Sequence, residues 1–240
     1  MQLEGEKAVV TGGSGGYGLG IARALVARGA RVWITGRDAA KLEKAAAACG
    51  AEAIAADVTS PADWDRVFSA VGDDVGILVN NAGAGVRIAP MAEQSDETIA
   101  DAINVNLTGA LMGCARASVR MGRRGRGAIV NISSVCAQHA WPGWGVYTAA
   151  KAGLSKFSHA LHTEMRPLGV RVFCLTPSWG ATDFNRAAGI SGASEDPALA
   201  AKCIAPEELG RFLVSLLEMP DHLAVPDVTV LPMIQDIQPM

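Results

Sequence analysis

The sequence predicts an α/β protein, a single doubly wound domain whose parallel sheet is flanked by helices on both faces. Three observations predict it. Short apolar, β-branched runs alternate with longer Ala/Leu-rich segments at least five times. Those runs are mostly continuously apolar, as strands covered on both faces require. The chain has 240 residues, 50% hydrophobic and 19% charged, which suits one domain with a substantial core. Lys plus Arg number 21 and Asp plus Glu 24, a formal net charge of −3. That balance argues against disorder and against general binding to nucleic acid or anionic membranes. The five cysteines, at 49, 114, 136, 174 and 203, are scattered, with no C-x-x-C. They read as reduced thiols of a cytoplasmic protein rather than a disulfide framework or zinc site. No signal peptide is expected from the acidic, non-apolar start, and the longest uncharged stretch, 127–150, is too polar to span a bilayer.

Taken in order, a strand at 7–11 leads through a glycine-rich loop into a helix at 19–28. A strand at 31–35 precedes a helix at 39–49, and a strand at 52–56 precedes a helix at 61–71, where Pro61 fits N1 and Ser60 the cap. A strand at 75–79 is followed by a long helix at 97–121, a strand at 127–132 by a helix at 146–166, and a strand at 170–176 ends the regular alternation. The stretch at about 178–205, rich in Ala, Gly, Ser and Asp, is irregular, and a segment that long marks a substrate or binding loop. A helix at 206–218 and a short strand at 228–231 close the chain.

The loop after the first strand points to a dinucleotide. Glycines there let the chain turn sharply and bring free N–H groups at a helix N-terminus onto a pyrophosphate. Gly13, Gly15 and Gly18 fit G-x-G-x-x-G, while Thr11, Gly12, Gly16 and Gly18 fit T-G-x-x-x-G-x-G. Position between a strand and a helix of a Rossmann-type βαβ unit gives these matches weight. At the end of the second strand the chain reads Thr35-Gly36-Arg37-Asp38. Arg37 can fork onto a 2′-phosphate, which favours NADP(H). Asp38 keeps NAD(H) possible through the ribose 2′-hydroxyl, although capping the helix at 39–49 is its better-supported role.

Of only two tyrosines, Tyr147 lies four residues before Lys151 in a predicted helix, so the two side chains share a face. A cation beside a phenol favours the phenolate and lowers its pKa toward working pH. The product is a general acid/base for an alcohol or carbonyl oxygen. Ser133 and Ser134 end the preceding predicted strand, where ligands sit in such sheets.

With these residues in view, the chain resembles the short-chain dehydrogenase/reductase family over nearly its whole length. The matching motifs, in order, are Thr11-Gly12-x-x-x-Gly16-x-Gly18, Asp57-Val58, Asn80-Asn81-Ala82-Gly83, Asn106, Ser134, Tyr147-x-x-x-Lys151, and Pro177 with Thr182. The resemblance implies a Rossmann-type fold, a homotetramer, and an NAD(P)-dependent enzyme interconverting a secondary alcohol and a carbonyl. It implies Tyr147 as acid/base and Ser134, thirteen residues before it, as hydrogen-bond partner of the reacting oxygen. Lys151 would bind the nicotinamide ribose and tune Tyr147, and Asn106 would hold a water linking Lys151 to solvent. Cofactor contacts would come from Gly12, Ser14, Gly16, Tyr17 and Gly18, and from Arg37. Asp57 and Val58 would meet the adenine, Asn80, Ala82 and Gly83 the adenine ribose side, and Pro177 and Thr182 the carboxamide end.

Several positions depart from the family pattern. Gly15 stands where NADP-preferring members often carry a second basic residue, which leaves the NADP preference on Arg37. Tyr17 replaces an Ile, so its phenol can reach the cofactor or the substrate mouth. Pro177-Ser178 replaces Pro-Gly, Phe173 replaces an Asn, and the ending Val228-Thr-Val-Leu-Pro232 lacks Val-Asp-Gly-Gly. That ending resembles a branch of carbonyl reductases and hydroxy-acid dehydrogenases.

Trp141 and Trp144 just before Tyr147, and Trp179 after Pro177, are expected to wall an apolar pocket together with Cys136. Such a wall favours a cyclic, aromatic or otherwise apolar small molecule as partner. His139 reads as an exposed loop residue, and no His/Asp/Glu constellation suggests a catalytic metal. Arg116, Arg120, Arg123, Arg124 and Arg126 cluster around the end of the long helix. Cations there complement the helix dipole; the sharper reading is a dock for an acidic carrier protein delivering a 3-oxoacyl thioester. A cofactor-binding sensor without turnover is the rival from another class, and the intact Asn106/Ser134/Tyr147/Lys151 set argues against it.

Overall fold

The computed structural model describes residues 1–83, 87–189 and 195–235. Within them β1 (Lys7–Thr11), β2 (Arg31–Gly36), β3 (Glu52–Ala55), β4 (Val75–Asn80), β5 (Gly127–Ile132), β6 (Val170–Pro177) and β7 (Asp227–Val230) form one parallel sheet. Its order is β3-β2-β1-β4-β5-β6-β7. Successive residues of a strand face opposite sides, so the apolar runs feed two cores. Ala8, Val10, Ile34, Val79, Val130 and Leu175 pack on one face, and Val9, Trp33, Leu78, Ile129 and Val172 on the other. The expectation of cover on both faces fails at β3, which is mostly exposed because it is the sheet edge.

The first core is roofed by α1 (Gly16–Val26), α2 (Ala39–Cys49) and a late helix; the second lies under α3 (Pro61–Val71), α5 (Gly109–Arg124) and α6 (Gly145–Met165). Asp38 caps α2 by accepting from the Lys41 N–H at 3.0 Å, and Ser60 caps α3 by accepting from the Asp63 N–H at 3.2 Å. The single helix expected at 97–121 is two, α4 (Asp96–Ile103) and α5, joined by a π-helical turn at Asn104–Thr108. That wide turn shifts the helical phase and carries Asn106 inward, where its Nδ2 donates to the Ala102 carbonyl at 3.0 Å. The helix expected from 19 starts at Gly16, because the glycine loop runs directly into it.

The stretch expected to be wholly irregular contains two single turns, α7 (Phe184–Ala187) and α8 (Pro197–Ala200), before α9 (Pro206–Glu218); its residues 190–194 lie outside the described residues. All five cysteines are unpaired, and among the described residues no helix is long and apolar enough to cross a membrane. The strand order runs outward in opposite senses from β1 and β4. A crevice therefore opens beyond the carboxyl ends of these two strands, the place where open α/β sheets bind ligands.

Candidate active site

The crevice is a cleft of about 940 Å³, lined from the glycine loop at one end to Trp141, Trp144 and Trp179 at the other. Gly12 and Gly16 adopt φ of +66° and +51°, left-handed backbone that favours glycine. A Cβ at Gly18 would overlap the Gly12 carbonyl. Ser14 and Gly16 line the cleft beside Gly12, while Gly18 lies behind them as packing. Thr11 then stitches β1 to β4: its hydroxyl accepts from the Asn81 and Ala82 N–H groups at 3.0 and 2.9 Å, and its carbonyl from Asn81 Nδ2 at 2.9 Å. Asn81, Ala82 and Gly83 line the cleft. Asn80 does not. Its amide donates into the sheet interior, to Asn131 Oδ1 at 2.8 Å and Cys114 Sγ at 3.2 Å, which makes it a core residue instead of a ribose contact.

At the adenosine end Arg37 is joined by Lys41. The Lys41 ammonium lies 3.7 Å from where a Gly15 Cβ would stand, so α2 supplies the second cation that the loop lacks. Among the described residues neither Arg37 nor Lys41 has an ion-pair partner. Asp38, spent on its cap, does not line the cleft. Asp57 and Val58 line it and are held locally, Asp57 Oδ1 by the Thr59 N–H and hydroxyl, both at 2.8 Å, and the Val58 carbonyl by the Trp64 indole at 2.8 Å. Glycine cradle, adjoining wall and paired free cations fit a phosphorylated dinucleotide.

At the centre, Tyr147, Lys151 and Asn106 are almost wholly buried, 6%, 4% and 1% exposed. Lys151 Nζ donates to the Ile132 carbonyl at 2.9 Å and lies 5.7 Å from the centre of the Tyr147 ring. Ser134 lines the cleft with Tyr147 and accepts from the Cys136 N–H at 3.2 Å. Ser133 is spent on structure, its hydroxyl 2.7 Å from Ser155 Oγ on α6. Among the described residues Asn106 Oδ1 meets no donor; a Cβ at Gly83 would stand 3.0 Å from it and 3.8 Å from Lys151 Nζ, so acceptor and ammonium flank the same glycine.

Electrostatics differ from the sequence expectation. Burial raises the Tyr147 phenol above its usual pKa and outweighs the lowering influence of the nearby Ser134 hydroxyl. Burial also pushes Lys151 down to about 8. An ammonium that is itself desolvated and turned to a backbone carbonyl does not pull the phenol down, so the protein by itself keeps Tyr147 protonated. The Cys136 thiol is likewise raised by burial, which keeps it un-ionised.

The substrate end is aromatic. Trp144 and Phe184 flank Tyr147 with ring centres 5.8 and 5.4 Å away, and Cys136 and Trp141 complete the wall with Trp179. Pro177 and Thr182 line the floor between the two ends. Tyr17 reaches the substrate loop, where its phenol donates to the Ser178 carbonyl at 3.2 Å. Among the lining residues that escaped the sequence reading are Lys41, Phe184 and Gln235. Lys41 was legible in principle, one helical turn after Arg37; Gln235 left no local signal.

The basic cluster is largely neutralised. Arg116 pairs with Asp65 at 2.7 Å, Arg120 with Asp73 at 3.2 Å, and Arg124 and Arg126 share Glu6 at 2.8 and 2.7 Å. Only Arg123 of the five lacks an ion-pair partner among the described residues. Among those residues no group of three or more His, Cys, Asp and Glu side chains is placed to hold a metal ion.

Comparison with known proteins agrees with this geometry. The family model for short chain dehydrogenases matches residues 6–190. Serine 3-dehydrogenase of Agrobacterium fabrum is 30% identical over 234 residues, covering 95% of this chain and 94% of that one. A 3-oxoacyl-[acyl-carrier-protein] reductase of Vibrio cholerae is 34% identical over 193 residues, 78% of each chain. The closed form of a serine dehydrogenase complexed with NADP⁺ superposes with a TM-score of 0.87, 26% identity and 98% coverage of both chains. Fold, cleft and relatives converge: the chain belongs to the short-chain dehydrogenase/reductase family.

Proposed function

We propose that the protein is an NADP(H)-dependent oxidoreductase interconverting a secondary alcohol and a carbonyl on a cyclic, aromatic or otherwise apolar small molecule. The observation that carries this reading is the burial of Tyr147 beside Lys151 on α6, with Ser134 lining the same cleft as the glycine loop. Backbone around Gly12, Ser14 and Gly16 would hold the pyrophosphate, Arg37 and Lys41 the 2′-phosphate, and Asp57 and Val58 the adenine. Ala82 and Gly83 would border the adenine ribose, Tyr147 and Lys151 the nicotinamide ribose, and Pro177 and Thr182 the carboxamide. Bound there, the cofactor supplies hydride to a carbonyl carbon or accepts it from an alcohol carbon.

The chain's own part is orientation and proton transfer. Ser134 and Tyr147 hold the substrate oxygen between two hydroxyls, and Tyr147 gives it a proton as the carbonyl becomes an alcohol. The protonated phenol is the form that can donate a proton when a carbonyl is reduced. The rings of Trp141, Trp144, Trp179 and Phe184 offer stacking area to a flat or cyclic substrate. Of the charged side chains lining this end, Lys151 is committed beneath Tyr147 and Asp183 pairs with Arg186 at 2.8 Å, which leaves no free cation there, among the described residues, to receive a substrate carboxylate. The paired arginine cluster weakens the carrier-protein alternative, because its positive charge is already met by Asp65, Asp73 and Glu6.

The test is NADPH consumption by the purified protein with a panel of cyclic and aromatic ketones, beside fluorescence titration with NADPH and NADH. Tyr147→Phe should abolish turnover and still bind NADPH. Full turnover in that variant overturns the mechanism, tighter NADH binding overturns the cofactor preference, and binding without any turnover identifies a sensor.

A further inference from the structure

Three departures from the family pattern meet at one point. Ser178, directly after Pro177 at the end of β6, uses all its polar groups there. Its N–H donates to the Val230 carbonyl on β7 at 3.1 Å, its carbonyl accepts from the Tyr17 phenol at 3.2 Å, and its hydroxyl donates to Gln235 Oε1 in the C-terminal segment. The Trp179 N–H donates to the same Oε1 at 3.4 Å. Tyr17 can reach this spot only because residue 180 is glycine; a Cβ there would overlap its hydroxyl. Trp179 in turn accepts the Ile204 N–H at 2.9 Å, and the Ala181 N–H donates back to the Ile204 carbonyl at 3.0 Å, so the loop's two ends are joined over the same junction.

We propose that Tyr17, Ser178 and Gln235 form a junction that positions the substrate loop and its Trp179 over the reacting end of the cleft, and ties that placement to the glycine loop carrying Tyr17. It rests on the reading of the cleft as a cofactor and carbonyl site. None of the three is argued to touch reacting atoms; they are positioning residues. Tyr17 follows Gly16 directly, so ligand contact with the glycine-loop backbone is one residue away from the bond that holds Ser178. Ser178→Gly keeps the two backbone bonds and loses the hydroxyl's bond to Gln235 Oε1, leaving only the Trp179 N–H on it; Tyr17→Phe keeps the ring and loses the bond to the loop. Burial holds the Tyr17 phenol protonated, so it remains a donor throughout the working pH range.

The experiment uses the full chain and two readouts. Exposed Arg186 and Lys202 within the loop are tryptic sites, so the rate of nicking there reports loop order with and without NADPH. Ser178→Gly and Tyr17→Phe should each speed nicking about threefold to tenfold, the worth of one hydrogen bond. Both should raise KM for the carbonyl more than they lower kcat, and Tyr17→Phe should lose much of the protection that NADPH gives the parent. Parental nicking rates and NADPH protection in both variants overturn the junction. The nicking arm needs no turnover: if the parent reduces no ketone the functional reading fails, while the junction is still decided. Should Ser178→Gly fail to fold, Tyr17→Phe, which removes a single oxygen, decides alone.

Discussion

Lys151→Met should make the protein more stable and inactive. Lys151 is 4% exposed, and burial pushes its pKa from 10.5 down to about 8. At about 1.4 kcal/mol per pH unit, holding this ammonium in the folded state costs about 3 kcal/mol relative to the unfolded chain at neutral pH. Methionine fills a similar volume without charge. It forfeits the 2.9 Å bond to the Ile132 carbonyl, worth about 1 kcal/mol. The net gain is about 2 kcal/mol, or about 4–8 °C in Tm for a chain of this length. The sign with pH is fixed: between about 8 and 10.5 the folded state has released the proton that the unfolded state still binds, so parental stability rises with pH across that window. Scanning calorimetry of both proteins at pH 7 and pH 9.5 should show a gap in Tm that narrows at the higher pH. Turnover should fall by at least about 100-fold, the usual weight of an acid/base arrangement. A variant that melts at or below the parent at pH 7, or a gap indifferent to pH, refutes the view of Lys151 as a buried cation held at the expense of stability.

Two further outcomes follow from the placement of Lys41 and Asn80. Lys41→Ala and Arg37→Ala should each weaken NADPH binding about tenfold and flatten its salt dependence, with NADH affinity little changed, by fluorescence titration; equal losses for both nucleotides would show that neither side chain meets the 2′-phosphate. Asn80→Ala should lower stability by about 1–3 kcal/mol in urea unfolding, since it strips Asn131 Oδ1 and Cys114 of their shared buried donor, while NADPH affinity stays at the parental value. A selective loss of NADPH affinity would return Asn80 to the cofactor site.

What the sequence by itself determined were features that depend on neighbours a few residues away. Continuous apolar runs separated by helix-length segments specify strands covered by helices, and strands so covered must pair in parallel. Tyr147 and Lys151 share a face because four residues make about one helical turn, and the glycine-rich loop falls between the first strand and the first helix. Asp38 and Ser60 stand one residue ahead of the helices they cap.

Tertiary structure decided whatever depends on a partner far along the chain. Asn80 shares its motif with Asn81, yet only the packing of β4 against β5 and α5 turns its amide inward to Asn131 and Cys114. The five arginines read as a positive patch until Asp65, Asp73 and Glu6 are brought against them. Tyr17 finds Ser178 at a separation of 161 residues, and Gln235 joins from 57 residues beyond Ser178. The protonation of Tyr147 depends on the fold for the same reason. Spacing reports the cation beside the phenol, but desolvation comes from everything packed around both, and here the larger effect is burial.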